Sequence, residues 1–259
     1  MNILVTNDDG INSEGLKTLA NALKELGDVF TVAPDRQRSA VGLSITIDRP
    51  LRIKKAGDRA FSVDGMPADC VTLAIHKLMD SSPDLIVSGI NDGQNIGYDV
   101  YHSGTVGAAL VGTMFSIPSL AVSIANKKFS PEQDVVWYDT AAQVALKLAR
   151  IIHQRKLPDG ISLNVNVPNV PLSEIEGIEI TRHASATYEI EVHNRLDPRG
   201  ENYYWLGGEF PGGPEHSETD LEALRRNKIS VTPLRLDMTD YTMMQELANW
   251  ILDTKFSSI

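Results

Sequence analysis

Cysteine is nearly absent from the sequence, and long apolar runs and an excess of positive charge are missing altogether. Cys70 is the only cysteine, so the chain forms no internal disulfide and a reducing compartment is expected. No run approaches the roughly 18 apolar residues of a membrane span. The first residues have the pattern of a strand rather than of a secretory signal. We therefore expect a cytoplasmic protein with no membrane partner.

The charge balance is acidic, with 24 Lys and Arg against 34 Asp and Glu and a formal net charge of −10. Proteins that bind the backbone of polymeric nucleic acid need clustered lysine and arginine, so that class of function is not expected. A small anionic ligand is still compatible with this charge, because one bound metal ion can reverse the local sign. The 259 residues, 42% of them hydrophobic, can bury a substantial core.

Short apolar segments alternate with amphipathic ones through the first two thirds of the chain. Residues 1–6 have the pattern of a buried strand, a helix pattern follows from about Ser13, and residues 28–33 form a second strand pattern. A strand–helix–strand unit of this kind predicts parallel neighbours joined by a right-handed crossover. We predict one α/β domain over residues 1–259, a three-layer αβα Rossmann-like mixed sheet that is mostly parallel.

Strand and turn patterns dominate the last third. We predict that residues 177–213 form an extended β-hairpin arm with a turn at residues 197–200. An isolated two-stranded arm is rarely stable in water, so we expect it to pack on a partner subunit in a homo-oligomer. Earlier in the chain, the alternation of residues 43–47 predicts another short strand.

Three polar loops follow predicted strands, at residues 7–10, 36–42 and 88–97. Ligands of open α/β sheets bind at the carboxyl ends of the strands, so we expect these loops to converge. The first loop contains the adjacent Asp8 and Asp9, whose charges repel each other and favour a divalent cation as compensation. The alternative is that this pair caps the following helix and faces solvent, because Asp is common at helix starts.

The other loops supply neutral oxygen atoms and possible contacts to a phosphate. Ser39 offers a hydroxyl and Asn91 an amide oxygen, and both suit Mg²⁺ or Mn²⁺. Arg36 or Arg38 is a candidate for steering a phosphate, and Ser103 opens a helix whose free N–H groups can hold one. The alternatives are a solvated surface turn for the second loop and ordinary N-capping for Ser103.

Seven short motifs lie along the chain, at residues 7–10, 38–39, 65–71, 88–91, 103–106, 163–168 and 229–234. In this order, and over nearly the whole chain, they resemble the signature stretches of the stationary-phase survival protein SurE family. The resemblance implies a 5'-nucleotidase, a phosphoric monoester hydrolase that acts on nucleoside 5'-monophosphates. Nucleoside 3'-monophosphates and short polyphosphate are a wider substrate range that we consider. The resemblance also implies a cytoplasmic homodimer or homotetramer.

The resemblance carries site residues onto this sequence position by position. The implied ligands of one divalent cation per subunit, Mg²⁺ or Mn²⁺, are Asp8, Asp9, Ser39 and Asn91. The implied substrate-binding residues are Asn95, Ser103, Gly104 and Thr105. Asp8 and Asp9 are also the implied catalytic residues. We expect a water molecule to attack the phosphate, with direct attack by one of the aspartates as the alternative.

The sequence departs from the family pattern at two positions, and two other protein classes also place acids after their first strand. The family commonly has proline where this chain has Gln94, and His102, a candidate proton donor, occupies a variable position. A haloacid-dehalogenase type of phosphatase needs a second acid where this chain has Gly10. A receiver-like signalling module needs an acceptor aspartate where the second strand ends in Ala33. The aromatic residues 203–205 suit either nucleobase stacking or strand packing.

Overall fold

The computed structural model describes residues 1–125, 135–185, 189–209 and 218–252. The strands are β1 (Asn2–Thr6), β2 (Asp28–Pro34), β3 (Ile53–Gly57), β4 (Ala60–Val63), β5 (Leu85–Asp92), β6 (Ser119–Ile124), β7 (Ile161–Val167), β8 (Ile178–Ile180), β9 (Glu189–Leu196), β10 (Asn202–Glu209) and β11 (Ile229–Arg235). The helices are α1 (Glu14–Leu23), α2 (Pro67–Leu73), α3 (Gly104–Met114), α4 (Tyr138–Arg155), α5 (Asp220–Arg225) and α6 (Tyr241–Leu252). Shorter helical turns are a π-helical turn at Ala74–Leu78 and 3₁₀ helices at Gly97–Tyr101 and Leu172–Glu174.

Nine of these strands form one mixed sheet in the order β3-β4-β2-β1-β5-β6-β7-β11-β8. The strands from β4 to β7 in this order are mutually parallel, whereas β3 and β11 run antiparallel to their neighbours β4 and β7. The predicted fold class is therefore confirmed. The chain moves from β1 to β2 on one side and later returns to β5 on the other. The carboxyl ends of β1 and β5 thus border the crevice in which open α/β sheets bind ligands.

Helices cover both faces of the sheet, and the alternation of side chains in β1 shows how. Ile3 and Val5 are buried in the cluster that includes Leu16 of α1 and residues of α4. Leu4 points to the opposite face and is buried with Val71 of α2. Because successive side chains of a strand face opposite sides, one strand supplies both layers of the core.

The strand predicted at residues 43–47 is wrong, because this segment forms no regular element. Instead, the carboxylate of Asp69 accepts hydrogen bonds from the Thr46 backbone N–H at 3.0 Å and from its hydroxyl at 2.6 Å. Leu43 and Ile45 remain exposed. The alternation therefore had no second layer to pack against, and one buried carboxylate fixes the segment.

The carboxyl-terminal third contains a separate two-stranded sheet. β9 and β10 pair antiparallel, with Leu196 opposite Asn202 at the turn end. The turn predicted at residues 197–200 is present, and Asp197 Oδ1 accepts from the backbone N–H of Glu201 at 2.9 Å. β8 belongs instead to the main sheet, where it pairs with β11. Residues 186–188 and 210–213 of the proposed arm lie outside the described residues. Within the described ranges, no helix has the length and apolar character that crossing a membrane requires.

Candidate active site

Asp8 is the buried centre of the crevice between β1 and β5. Asp8 is only 4% exposed. Its Oδ1 accepts a hydrogen bond from the hydroxyl of Thr105, which lies in the first turn of α3. Gly104 permits this approach, since a Cβ at that position would lie 2.9 Å from Asp8 Oδ2. The end of β1 and the start of α3 therefore meet at one carboxylate.

β5 brings a further oxygen and a backbone donor to the same place. The Asn91 amide oxygen lies 3.4 Å from the Thr105 hydroxyl, and the amide nitrogen donates to the Gly93 carbonyl at 2.7 Å. The backbone N–H of Asp92 donates to Asp9 Oδ2 at 3.4 Å. Asn91 thus turns its oxygen toward the hydroxyl that also contacts Asp8. The structure thus brings together predicted site residues that lie far apart in the sequence.

The two aspartates carry negative charge that the protein only partly compensates. Burial raises the pKa of Asp8, while the Thr105 hydroxyl and the backbone N–H groups of Thr105 and Gly104 act in the opposite direction. Burial, with a further contribution from the charge of Asp8, raises the pKa of Asp9 to about 6. Among the residues that the structure describes, no lysine or arginine forms an ion pair with either carboxylate. The pair is therefore a place where a cation would be stabilised.

The alternative that Asp8 and Asp9 cap the following helix is wrong. Ser13 is the N-cap of α1, and its hydroxyl accepts from the Leu16 backbone N–H at 3.4 Å. Asn7 shapes the intervening loop by donating from its side chain to the Ser13 hydroxyl at 2.7 Å. The start of α1 is thus capped by Ser13, without either of the two aspartates.

The second predicted loop lies against the first. The Arg38 backbone N–H donates to the Asp8 carbonyl at 2.7 Å. The next residue, Ser39, is exposed, and its hydroxyl accepts from the Gln37 side chain at 2.9 Å. The loop is therefore positioned at the site, with the Ser39 hydroxyl engaged by a residue of the same loop.

The two arginines of this loop are engaged locally. Arg36 and Arg38 both form ion pairs with Asp35, at 3.6 and 3.5 Å. The guanidinium group of Arg38 also donates to the Asp64 carbonyl at 3.3 Å. The positive charge that we considered for steering a phosphate is thus shared with a neighbouring carboxylate.

Ser103 is the N-cap of α3, which was the alternative to a phosphate-binding role for this residue. The Ser103 hydroxyl accepts from the Val106 backbone N–H at 3.1 Å, whereas the Thr105 hydroxyl is used by Asp8. His102, the candidate proton donor, is exposed, and its carbonyl accepts from the Gly42 N–H at 2.9 Å. The second loop and the start of α3 are thereby joined directly.

Asn95 is held in a buried amide network. Its side-chain nitrogen donates to the Ser123 hydroxyl at 2.8 Å. Asn166 accepts from the Asn95 N–H at 2.8 Å and donates to its carbonyl at 3.0 Å, and Asn164 donates to the same carbonyl at 2.8 Å. Sequence reasoning gave these two asparagines no role. Their signal is a polar residue at every second position of an otherwise apolar strand, namely Ser162, Asn164 and Asn166.

Tyr138 and Asp92 are two further residues that sequence reasoning missed. The backbone N–H of Asp92 donates to Asp9, and Tyr138 reaches the site from the first turn of α4. Burial is the main cause that raises the pKa of Tyr138, followed by the charges of Asp92 and Asp9 and a hydrogen bond to Asp92. Gly15 makes room for the ring, since a Cβ there would lie 3.0 Å from Tyr138 Cε1. No local pattern marks this contact.

The oxygen atoms gathered here fit a hard divalent cation. Carboxylate, amide and hydroxyl oxygens suit Mg²⁺ or Mn²⁺, which prefer such ligands to nitrogen and sulfur. Over the described ranges, no group of three or more His, Cys, Asp or Glu side chains could hold a metal ion. A cation at Asp8 and Asp9 would therefore need neutral oxygen ligands, and Asn91 offers one within 3.4 Å of the Thr105 hydroxyl that contacts Asp8.

Comparisons with known proteins agree with this architecture. The family model described as survival protein SurE matches residues 3–190. The chain belongs to the SurE family. It is 46% identical over 252 residues to the 5'-nucleotidase SurE of Geobacter sulfurreducens, covering 97% of this chain and 94% of that protein. It is 47% identical over 254 residues to the 5'-nucleotidase SurE 1 of Thermus thermophilus, covering 96% and 97%. The crystal structure of the SurE protein from Aquifex aeolicus superposes with a TM-score of 0.84 at 38% identity, covering 96% and 99%.

Proposed function

We propose that this chain is a 5'-nucleotidase that hydrolyses nucleoside 5'-monophosphates with one divalent cation per subunit. The convergence of Asp8, Asn91 and Thr105 carries the proposal, because it places two potential metal ligands beside a helix start. The names of the SurE relatives support the reaction class. Family membership favours a SurE-type hydrolase over the dehalogenase-type phosphatase and the receiver-like signalling module.

Asp8, Asp9 and Asn91, completed by Ser39, would hold the cation. Two carboxylates with raised pKa values and no cationic partner among the described residues need such a counter-charge. When bound, Mg²⁺ or Mn²⁺ would polarise the phosphate and lower the pKa of a water molecule.

The start of α3 would hold the phosphate itself. The backbone N–H groups of Gly104 and Thr105 act on the Asp8 carboxylate, and the positive end of the α3 dipole favours an anion at the same place. The Thr105 hydroxyl donates a hydrogen bond to Asp8 and so holds that carboxylate beside the proposed phosphate-binding residues. Donors fixed in advance stabilise the charge that develops on the phosphoryl oxygens in the transition state.

Water is the favoured nucleophile. Asp8 is buried against Gly104 and occupied by the Thr105 hydroxyl, which leaves its oxygens little freedom to attack. Asp9 is held by the Asp92 N–H on one oxygen. Isolation of a phospho-aspartate from protein quenched during turnover would contradict this choice.

The proposal is tested by phosphate release from 5'-AMP with Mg²⁺, with Mn²⁺ and with EDTA. We expect release that requires the cation, and 3'-AMP and short polyphosphate define the substrate range in the same assay. Binding of Mn²⁺ followed by calorimetry gives a readout independent of turnover. Folded protein that releases no phosphate with either metal would refute the proposed function.

We also propose that the chain works as a homodimer or homotetramer through its arm and α6. Tyr204 and Leu206 of β10, and Met244 and Trp250 of α6, are exposed apolar side chains. Among the described residues β9 and β10 pair only with each other, and an isolated two-stranded sheet needs cover from another surface to be stable. Light scattering during size exclusion should give a mass of two or four chains. Replacing residues 189–209 with a short Gly-Ser linker should lower that mass.

A further inference from the structure

Two exposed tyrosines precede the start of α3 on the 3₁₀ helix Gly97–Tyr101. Tyr98 is 48% and Tyr101 60% exposed. Their rings are stacked, with centroids 6.5 Å apart and an interplanar angle of 29°. Side chains three residues apart eclipse each other in a 3₁₀ helix, which explains why both rings lie on one side. Such a pair offers a flat aromatic face to a planar ligand.

The tyrosine pair is fixed relative to the site because its helix is anchored on both sides. The Gly97 N–H donates to Asp220 Oδ2 at 2.9 Å, which holds the start of the 3₁₀ helix. Val100, between the two tyrosines, is buried with Val106 and Ala109 of α3. α3 therefore packs against the 3₁₀ helix that carries the two tyrosines, and the first residues of α3 are the proposed phosphate-binding residues.

The backbone of Tyr101 also lies close to the start of α3. Tyr101 is two residues before Ser103, so their Cα atoms are at most about 7 Å apart. Gly42 of the second loop packs on the Tyr101 carbonyl, where an added Cβ would lie 2.9 Å from the oxygen. Tyr101 is thus located where the second loop meets α3. The ribose of a nucleotide separates its base from its phosphate by a comparable distance.

We propose that Tyr98 and Tyr101 form the nucleobase subsite, on which the base of a nucleoside monophosphate stacks while its phosphate lies at residues 103–105. This inference rests on the proposed function and names the part of the substrate that the aromatic pair recognises. Stacking uses the π-face that every base has, so the subsite discriminates nucleotides from base-free phosphate esters more than one base from another. Purines, with the larger face, gain more from it than pyrimidines.

The aromatic side chains of β10 are the rival platform. Tyr204 and Trp205 are also exposed. In the described part of the chain, however, β10 pairs only with β9, and these two strands form a sheet apart from the nine-stranded one. Tyr98 and Tyr101 are tied to the site by covalent neighbours and by packing, whereas Tyr204 has no such link within the described ranges of its own chain.

The test compares 5'-AMP with ribose 5-phosphate, which has the same phosphate and sugar and no base. In the double variant Tyr98→Ala/Tyr101→Ala we expect KM for 5'-AMP to rise about tenfold or more, with KM and kcat for ribose 5-phosphate unchanged. The double variant Tyr98→Phe/Tyr101→Phe keeps both ring faces and should retain the wild-type KM for 5'-AMP. Tyr204→Ala should leave both substrates unaffected.

Several outcomes would overturn the inference. These are an unchanged KM for 5'-AMP in the double alanine variant, an equal loss with both substrates, or a rise in KM confined to Tyr204→Ala. Circular dichroism verifies that each variant is folded. If the double alanine variant does not fold, the double phenylalanine variant still tests whether the two ring faces are sufficient for the wild-type KM. Wild-type protein that hydrolyses neither ester would instead refute the phosphatase itself, so the two failures are distinguishable.

Discussion

The central sheet and the carboxyl-terminal third differ in how completely their apolar side chains are covered. Leu4 and Ile86, in the middle of the sheet, are fully buried between helices of the same chain. In the arm, Trp205 is 65% and Leu206 76% exposed, and in α6 Trp250 is 61% exposed. The sheet therefore completes its own core, whereas the arm and α6 have apolar side chains that remain more than half exposed among the residues that the structure describes.

This difference separates two tasks within one chain. All the proposed metal and phosphate ligands belong to a strand end, to loops or to a helix start that the buried sheet positions. Burial gives those groups fixed geometry and the raised carboxylate pKa values. The arm and α6 carry few such groups, and their exposed aromatic and aliphatic side chains suit contact with another subunit. Substitutions in the two regions should consequently have different effects.

The largest effect is expected at the paired aspartates. Asp8→Asn and Asp9→Asn should each lower kcat/KM for 5'-AMP by roughly 10²–10³-fold or more, since each removes a charge that would hold the cation. Phosphate release measured at saturating Mn²⁺ gives the rate, and circular dichroism verifies the fold. The matched control Asp80→Asn, at an exposed position, should behave as wild type. Near-normal activity in either site variant would refute the metal assignment.

Stability should respond to the sheet and not to the arm. Ile86→Ala should lower the free energy of unfolding by about 2–5 kcal/mol, because it leaves a cavity in a closed core. Leu206→Ala, at an exposed position of β10, should change it by less than about 0.5 kcal/mol in the isolated subunit. Urea unfolding of both variants at low protein concentration makes the comparison. Equal losses would show that the arm is part of the folding core.

The buried amide network links stability to the site. Asn166→Ala removes both hydrogen bonds to the Asn95 backbone and should cost about 1–3 kcal/mol, because a buried N–H is left without its partner. Activity should fall as well, since the loop after β5 loses its support. Asn194→Ala in β9, which is exposed, is the control. If Asn166→Ala unfolds in urea like wild type, the network has no structural role.

The smallest effect is expected from Asp99, which burial gives a pKa of about 6 against an ordinary value of 3.8. The folded state then binds the proton more tightly than the unfolded chain, so wild-type stability falls as pH rises from about 4 through 6. Asp99→Asn removes this loss and should raise Tm at pH 8 by about 2 °C, a small shift because the group is half exposed. At pH 4 the two proteins should melt together.

Thermal melts followed by circular dichroism between pH 4 and pH 8 measure this difference. The exposed Asp58→Asn is the control and should follow wild type throughout. A Tm gain for Asp99→Asn that is the same at both ends of the pH range would show that ionisation is not its cause.

Much of the fold was predictable because it follows from local patterns. The apolar run of residues 2–6 and the leucine spacing after Ser13 predict β1 and α1, and both are present. The segment 43–47 shows the limit of the same rule. Its alternation is that of a strand, but no strand in the described part of the chain pairs with it, and two hydrogen bonds from Thr46 to Asp69 take the place of the ladder. Alternation reports on side-chain character, whereas a strand also needs a pairing partner.

The sequence by itself determined that two aspartates follow the first strand, and that loops rich in oxygen ligands end other strands of a mostly parallel sheet. Strand period and turn chemistry are local, so they are legible in the order of residues. Only the tertiary structure decided that Asp8 is buried against Gly104 and Thr105, and that Asp92 and Tyr138 lie beside Asp9. Those contacts join distant parts of the chain and depend on how helices pack on the sheet, which no local pattern encodes.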